Sequence, residues 1–164
     1  MQVGVWVTNK AAFRYLLLSP CGIFDAWGIE LVEEWVWVKT TIHGAPICAL
    51  NSAWRKPYEI LLVGKAKSSA SSKHDDADVG EADRGGGQVK RRVVFGVPDL
   101  HSRKPNLRAL FEGSMEEMGI YGDGKGKTKG YEALEVFARN CTAGWWSWGD
   151  EALKFQAQEC WAVE

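Results

Sequence analysis

YEILLVG, at residues 58–64, is a nearly continuous apolar run that begins directly after Pro57. Apolar runs of this length are typical of strands buried on both faces, as in a parallel sheet that helices cover. Residues rich in β-forming side chains recur in four further stretches, at 2–9, 31–40, 93–97 and 134–138. Because segments with helical spacing alternate with these strands, the sequence predicts an α/β fold with a mainly parallel sheet.

The segments between the strands complete the predicted order of elements. Apolar residues at helical spacing predict helices at 10–18, 23–27, 106–118 and 151–160. Pro105 is suited to the first position of the helix at 106–118. Ser, Asp, Lys and Gly dominate a further stretch without apolar periodicity, which predicts a disordered insertion at about 65–91. We therefore predict a single domain over residues 1–164 that this insertion interrupts.

Composition narrows the class of protein. The chain has 164 residues, of which 46% are hydrophobic and 25% charged, as in a globular domain. Lys and Arg number 20 against 21 Asp and Glu, so nucleic-acid binding would require a local basic patch. No apolar run approaches the ~20 residues of a membrane span, and the N-terminus has no signal-peptide pattern. These features predict an intracellular protein without a membrane partner.

Cysteine and tryptophan point to different roles. The four cysteines are too widely spaced for a typical metal site, and we interpret them as reduced, mostly packing residues: Cys21, Cys48, Cys141 and Cys160. The nine tryptophans are concentrated around residues 35–37, 54 and 145–148. Tryptophan buries a large area and also stacks on flat ligands, so this excess is compatible with binding of a base or of adenine.

Two glycine-rich nucleotide motifs are disfavoured. The loop at 119–130 contains Gly126-Lys127-Thr128, but Tyr121 stands where a P-loop requires glycine. That loop also precedes its strand instead of following it. No Gly-x-Gly-x-x-Gly pattern follows any predicted strand, which argues against nicotinamide and flavin cofactors.

A polar passage follows the predicted strand at 134–138. It places the acid Glu135, the guanidinium of Arg139 and the side chains of Asn140 and Thr142 at the carboxyl end of a strand, where ligands bind in α/β sheets. A carboxylate there can accept hydrogen bonds from ribose hydroxyls, and arginine can bind a carboxylate through two donors. The alternative is a local ion pair between Glu135 and Arg139 in a loop that only turns the chain.

Three separated motifs resemble one enzyme family. The stretches WRKPYEILLVG (54–64), VPDLHSRKPNL (97–107) and EVFARNCTAGWWSWGDEALKFQ (135–156) are similar to the MTA-seventy (MT-A70) family of adenine-N6 methyltransferases, and to its methyltransferase-like-four branch. The motifs occur in the family's order and cover nearly all of residues 2–156 outside the insertion. Phe-Ala-Arg-Asn followed by Trp-x-Ser-Trp-Gly is the most specific of these matches.

The resemblance implies a Rossmann-like, S-adenosylmethionine-dependent methyltransferase fold in circularly permuted order, incomplete at the N-terminus. By position it implies a set of cofactor-binding residues: Glu135, Arg139, Asn140, Cys141, Thr142, Asp150 and Glu151. Tyr58, or its neighbour Lys56, matches a lysine that touches the cofactor in related enzymes. Cys141 and Asp150 depart from the residues common in the family.

The resemblance also implies RNA or DNA as substrate and a nuclear location. Trp54, or the pair Trp145 and Trp146, is suited to stack on a base. Arg103 and Lys104, together with Arg55 and Lys56, are candidate phosphate contacts, and the alternative is a solvated basic loop surface.

The catalytic residues stay unknown, because the family's Asp-Pro-Pro-Trp motif is absent: none of the five prolines is adjacent to another. One hypothesis is an adenine-N6 methyltransferase whose motif lies upstream of Met1, so that activity of this chain alone is in doubt. The other is a non-catalytic, methyltransferase-like subunit that supports a homologous methyltransferase or presents nucleic acid. An upstream strand that ends in the motif favours the first hypothesis.

Overall fold

The computed structural model describes residues 1–67, 88–99, 103–119, 131–154 and 156–158. The chain consists of two compact units, Met1–Val97 and Pro98–Glu164, whose residues contact one another mainly within each unit. The single domain over 1–164 stays a prediction. The structure does not describe residues 68–87 of the predicted insertion or most of the glycine-rich loop at 119–130. The two ends of the predicted insertion, before residue 67 and after residue 89, belong to strands.

The described residues of the first unit form four strands and two short helices. In chain order they are β1 (Gln2–Val7), α1 (Ala11–Leu18), α2 (Ile23–Ala26), β2 (Ile29–Lys39), β3 (Tyr58–Ala66) and β4 (Lys90–Gly96). Each element lies within a few residues of its predicted position. The longest helix among the described residues has 10 residues, about half of what a membrane span requires.

The sheet of this unit is mixed. Its strand order is β1-β3-β2-β4, in which β3 pairs antiparallel with β1 and with β2, and only β2 and β4 are parallel. The prediction of a mainly parallel sheet was therefore wrong. An apolar run reports burial on both faces, which a central antiparallel strand satisfies equally well. Leu61, Leu62 and Val63 of β3 are indeed all buried.

One face of the sheet forms the core with the two helices. Leu62 packs in one cluster with Leu17 of α1 and Phe24 of α2. A side chain on Gly64 would lie 2.4 Å from Ile29 Cγ2 and 3.0 Å from the Phe24 ring, so β3 requires glycine where these residues cross it. Neither helix has a side-chain cap, and both are held by apolar packing on the sheet and by one ion pair each, Arg14–Glu34 and Asp25–Lys67.

The register places a second set of buried residues on the opposite face of the sheet. Trp35 and Trp37 of β2 are almost fully buried there, and so is the carboxylate of Glu33. Glu33 accepts hydrogen bonds from Arg92 Nε at 2.7 Å and from Trp35 Nε1 at 2.5 Å. The cation of Arg92 therefore compensates a charge that burial alone would penalise.

The second unit contains α3 (Arg108–Glu117), β5 (Leu134–Val136) and β6 (Trp146–Trp148). The helix begins later than predicted, because Asn106 Oδ1 accepts the Arg108 N–H at 3.0 Å and Pro105 stays outside. The helix predicted at 151–160 is wrong over 151–154, where turns close through bonds such as Lys154 N–H to Glu151 O. Residues 156–158 of that prediction are described and are not α-helical either, while 155, 159 and 160 lie outside the described residues.

Candidate functional site

The candidate cofactor site lies on the short parallel sheet of the second unit. Its register pairs Leu134 with Trp146, Glu135 with Ser147, and Val136 with Trp148. Residues paired in this way share a face, so Glu135 and Ser147 lie side by side on one face of the sheet. The four apolar partners are on the other face and are exposed.

Glu135 has no ion-pair or hydrogen-bond partner among the described residues. Burial raises the pKa of its carboxyl above the ordinary value of 4.5. The local Glu135–Arg139 ion pair considered from the sequence does not form, because the Arg139 guanidinium lies 3.5 Å from Glu151 instead. A desolvated carboxyl without a partner is suited to accept hydrogen bonds from a ligand's hydroxyl groups.

Ser147 is a polar residue that the sequence analysis missed. Its hydroxyl oxygen is buried and has no hydrogen-bond partner in the part of the chain that the structure describes. A buried hydroxyl without a partner costs free energy, and a bound ligand can supply that partner. The alternation Trp-Ser-Trp was the available signal, but recognising it required the register of β6 against β5.

The loops that follow β5 and β6 meet through their backbones. Phe137 adopts a left-handed φ of 60°, and the Ala138 N–H then donates to Trp148 O at 3.0 Å. A side chain on Gly149 would lie 2.3 Å from Ala138 O, so only glycine permits this approach. The backbone crossing brings Arg139 and Glu151 together at the carboxyl ends of both strands.

The remaining predicted cofactor residues are distributed along these two loops. Glu151 also pairs with Lys154 at 3.1 Å, while Asp150 beside it is exposed. Thr142 is buried and its carbonyl accepts the Trp145 N–H at 3.0 Å. These positions are compatible with ligand binding, and the assignments stay predictions.

The cysteines differ in part from the expectation of packing residues. Cys21 and Cys141 are exposed, Cys48 is partly buried, and Cys160 lies outside the described residues. Cys141 Sγ lies 3.6 Å from Ala152 O. Within the described ranges, no three side chains of His, Cys, Asp or Glu lie together so that they could hold a metal ion.

Asn140 connects the first loop to the segment before α3. Its Oδ1 accepts a hydrogen bond from Arg103 Nε at 2.6 Å, and its Nδ2 lies 3.5 Å from Lys104 O. Arg103 also pairs with Asp99 at 3.0 Å. Two predicted phosphate contacts therefore lie beside a predicted cofactor residue.

A polar network supports the same loop from α3. Arg108 donates to Ala143 O at 2.7 Å and to Glu112 at 2.9 Å. Tyr131 donates to Glu112 and accepts from Trp145 Nε1, both within 2.9 Å. The hydrogen bond from Arg108, followed by that from Tyr131, lowers the pKa of Glu112, and burial raises the pKa of Tyr131. The network holds the end of the loop at Ala143 and Trp145 in place.

Four predicted residues belong to the other unit: Trp54, Arg55, Lys56 and Tyr58. Tyr58 begins β3, and its carbonyl accepts a hydrogen bond from Asn9 Nδ2 at 2.8 Å. Trp54 lies in the loop between β2 and β3 and is 99% exposed. That loop is ordered locally, since Cys48 Sγ lies 3.4 Å from Arg55 O and the Arg55 N–H lies 3.4 Å from Ser52 Oγ.

Comparisons with known proteins identify relatives of this chain. It is 46% identical over 159 residues to the N6-methyladenosine RNA methyltransferase MTA1 of Cryphonectria parasitica, covering 97% of this chain and 40% of that protein. It is 34% identical over 152 residues to the N(6)-adenine-specific methyltransferase METTL4 of Homo sapiens, covering 92% and 28%. It is 27% identical over 159 residues to the DNA N6-methyl methyltransferase of Caenorhabditis elegans, covering 95% and 36%.

The chain spans about two fifths or less of the length of these curated relatives. A family model described as MT-A70 matches residues 2–151. That range includes all three motifs on which the resemblance was based, apart from the last residues of the third. The resemblance is confirmed, and this chain belongs to the MT-A70 family.

Proposed function

We propose that this chain carries the cofactor-binding part of an S-adenosylmethionine-dependent methyltransferase that acts on adenine N6 in RNA or DNA. The observation that carries the proposal is the pair formed by Glu135 and Ser147. These two polar groups lie on one face of a parallel sheet and have no partners among the described residues. Relatives named as RNA and DNA N6-methyltransferases support both the reaction and the substrate class.

The residues of the site fit the chemistry of this cofactor. Glu135 would accept hydrogen bonds from the ribose hydroxyls, and Ser147 beside it would offer a further donor and acceptor. Arg139, oriented by Glu151, binds the carboxylate of the amino-acid part. When bound, S-adenosylmethionine supplies an electrophilic methyl group for transfer to the adenine amine. Asn140, Cys141, Thr142 and Asp150 would contribute further contacts to the cofactor from the two loops.

Trp54 is our candidate for stacking on a base of the nucleic acid. A tryptophan that is 99% exposed gains nothing from burial in its own unit, while a base stacked on its ring would cover it. Arg55 next to it is exposed and can neutralise a phosphate. Lys104 stays a candidate contact of the substrate. Tyr58, or its neighbour Lys56, stays a candidate contact of the cofactor.

Calorimetric titration of the purified chain with S-adenosylmethionine tests the cofactor proposal. We expect binding by the wild type and a loss of affinity of about tenfold or more in Glu135→Gln and in Arg139→Ala, because each removes one charged hydrogen-bonding group. Glu132→Gln is the matched control, since Glu132 is an exposed carboxylate two residues before β5.

Absence of binding by a folded wild-type chain contradicts the cofactor proposal. That result would favour the second hypothesis, a non-catalytic subunit that supports a homologous methyltransferase. A nuclear location is likewise a proposal, which imaging of the tagged whole protein would test.

A further inference from the structure

Arg103 is oriented toward the protein and not toward solvent. Its Nε donates to Asn140 Oδ1 at 2.6 Å and its Nη1 lies 3.0 Å from Asp99 Oδ2. Its side chain is only 21% exposed, against 50% for that of Asp99. A phosphate contact requires donors that face the ligand, and here two of the guanidinium nitrogens already have partners inside the unit.

The partner of Arg103 is one of the predicted cofactor residues of the loop after β5. Asn140 lies between Arg139 and Cys141 in the chain. A fixed Asn140 side chain therefore limits the rotation of the backbone that carries these two neighbours. The Asn140 amide is also near Lys104 O at 3.5 Å. The loop is held at its other end by Arg108, which donates to Ala143 O at 2.7 Å. Two arginines therefore anchor residues 139–143 at both ends.

We propose that Arg103 is a positioning residue for the cofactor loop, and that it acts through Asn140 instead of contacting nucleic-acid phosphate. This inference rests on the proposed function of the loop at residues 139–143. The planar guanidinium is suited to this role because its Nε and Nη1 donate in different, fixed directions. A lysine at the same position keeps the charge but cannot hold both partners in that geometry.

The difference between charge and geometry makes Arg103→Lys the informative variant. We expect it to bind S-adenosylmethionine about tenfold more weakly than the wild type by calorimetry, because the loop loses its anchor. We expect no change in its affinity for an adenine-containing single-stranded RNA oligonucleotide, or in the salt dependence of that affinity. Arg91→Lys, an exposed arginine of β4, is the control and should change neither measurement.

A double-mutant cycle separates positioning through Asn140 from general destabilisation. The double variant Arg103→Ala/Asn140→Ala should lose no more cofactor affinity than Asn140→Ala alone, since Arg103→Ala then removes a hydrogen bond that is already broken. Additive losses would contradict action through Asn140. Unchanged cofactor affinity in Arg103→Lys, or RNA binding reduced with a shallower salt dependence, would overturn the inference while leaving the cofactor proposal intact.

Hydrogen exchange decides the inference independently of cofactor binding. In Arg103→Lys, amides of residues 139–143 should exchange faster than in the wild type, while those of β3 stay unchanged. If the wild type does not bind S-adenosylmethionine, the proposed function fails, but faster exchange in the loop still supports positioning by Arg103. Equal exchange in both proteins would overturn it.

Discussion

The two units of this chain are stabilised in different ways. In Met1–Val97, hydrogen bonds between long strands and two apolar layers hold β3 in place, and Leu62 and Val63 are completely buried. In Pro98–Glu164, the strands β5 and β6 have three residues each, and both tryptophans of β6 are exposed. Side-chain hydrogen bonds from Arg103, Arg108 and Tyr131 hold the loops there.

This difference indicates that one unit supplies most of the stability and the other supplies the candidate binding groups. Apolar packing has no chemical specificity for a ligand, whereas loops held by polar side chains can expose charged and hydrogen-bonding groups in fixed positions. The first unit therefore provides most of the buried core. The second unit carries seven of the eight predicted cofactor residues, with Tyr58 as the exception.

The largest effect on stability is expected from Leu62→Ala. Removing this fully buried side chain from the core of the first unit should lower the free energy of unfolding by about 3 kcal/mol in urea titration. Leu16→Ala in α1 is the control, because Leu16 is 53% exposed and its loss should have little effect. Equal losses in the two variants would contradict the assignment of the core.

Gly149→Ala should disturb the second unit alone. The new methyl group would lie 2.3 Å from Ala138 O, so the crossing of the two loops must shift, at a cost of about 2 kcal/mol. In this variant, the backbone amides of residues 131–154 should exchange hydrogen faster than in the wild type, while those of β3 exchange at the same rate. Gly113→Ala in α3 is the control: its methyl group meets nothing within 4 Å, and alanine favours the helix. Loss of protection in β3 would show that the units do not respond separately.

A smaller effect, dependent on pH, is expected from Glu135. Burial raises its pKa in the folded protein, while the unfolded chain keeps the ordinary value of 4.5. The folded state therefore holds the proton to higher pH, and this contribution to stability is lost as pH rises from about 4.5 through the raised pKa. In Glu135→Gln, this decrease in the free energy of unfolding with rising pH should be absent from urea titrations. Glu132→Gln should retain it, and an unchanged profile for Glu135→Gln would refute the assignment.

The smallest effect on stability is expected from Trp54→Ala. This exposed side chain should change the free energy of unfolding by less than about 0.5 kcal/mol. Binding of a single-stranded RNA or DNA oligonucleotide should weaken about tenfold if one base stacks on the ring. Trp27→Ala, at 57% exposure in the same unit, is the control. An equal affinity in all three proteins would exclude Trp54 as a base contact.

The positions of most elements could be predicted from the sequence, because they depend on local periodicity. The apolar run at 58–64 predicted β3, and helical spacing at 10–18 predicted α1 to within one residue. The end of the chain could not be predicted this way. Residues 151–154 have helical composition, but their backbone closes i to i+3 turns next to Gly149.

The sequence by itself determined the family, the position of the strands and the type of chemical group after β5, since these depend on residue identity and order. Only the tertiary structure decided strand direction, because burial on both faces is equal for parallel and antiparallel neighbours. It also decided the partners of the charged groups. Glu135 lies beside Ser147, Arg139 beside Glu151 and Arg103 beside Asn140 because strand register and backbone crossing bring together residues that are distant in the chain.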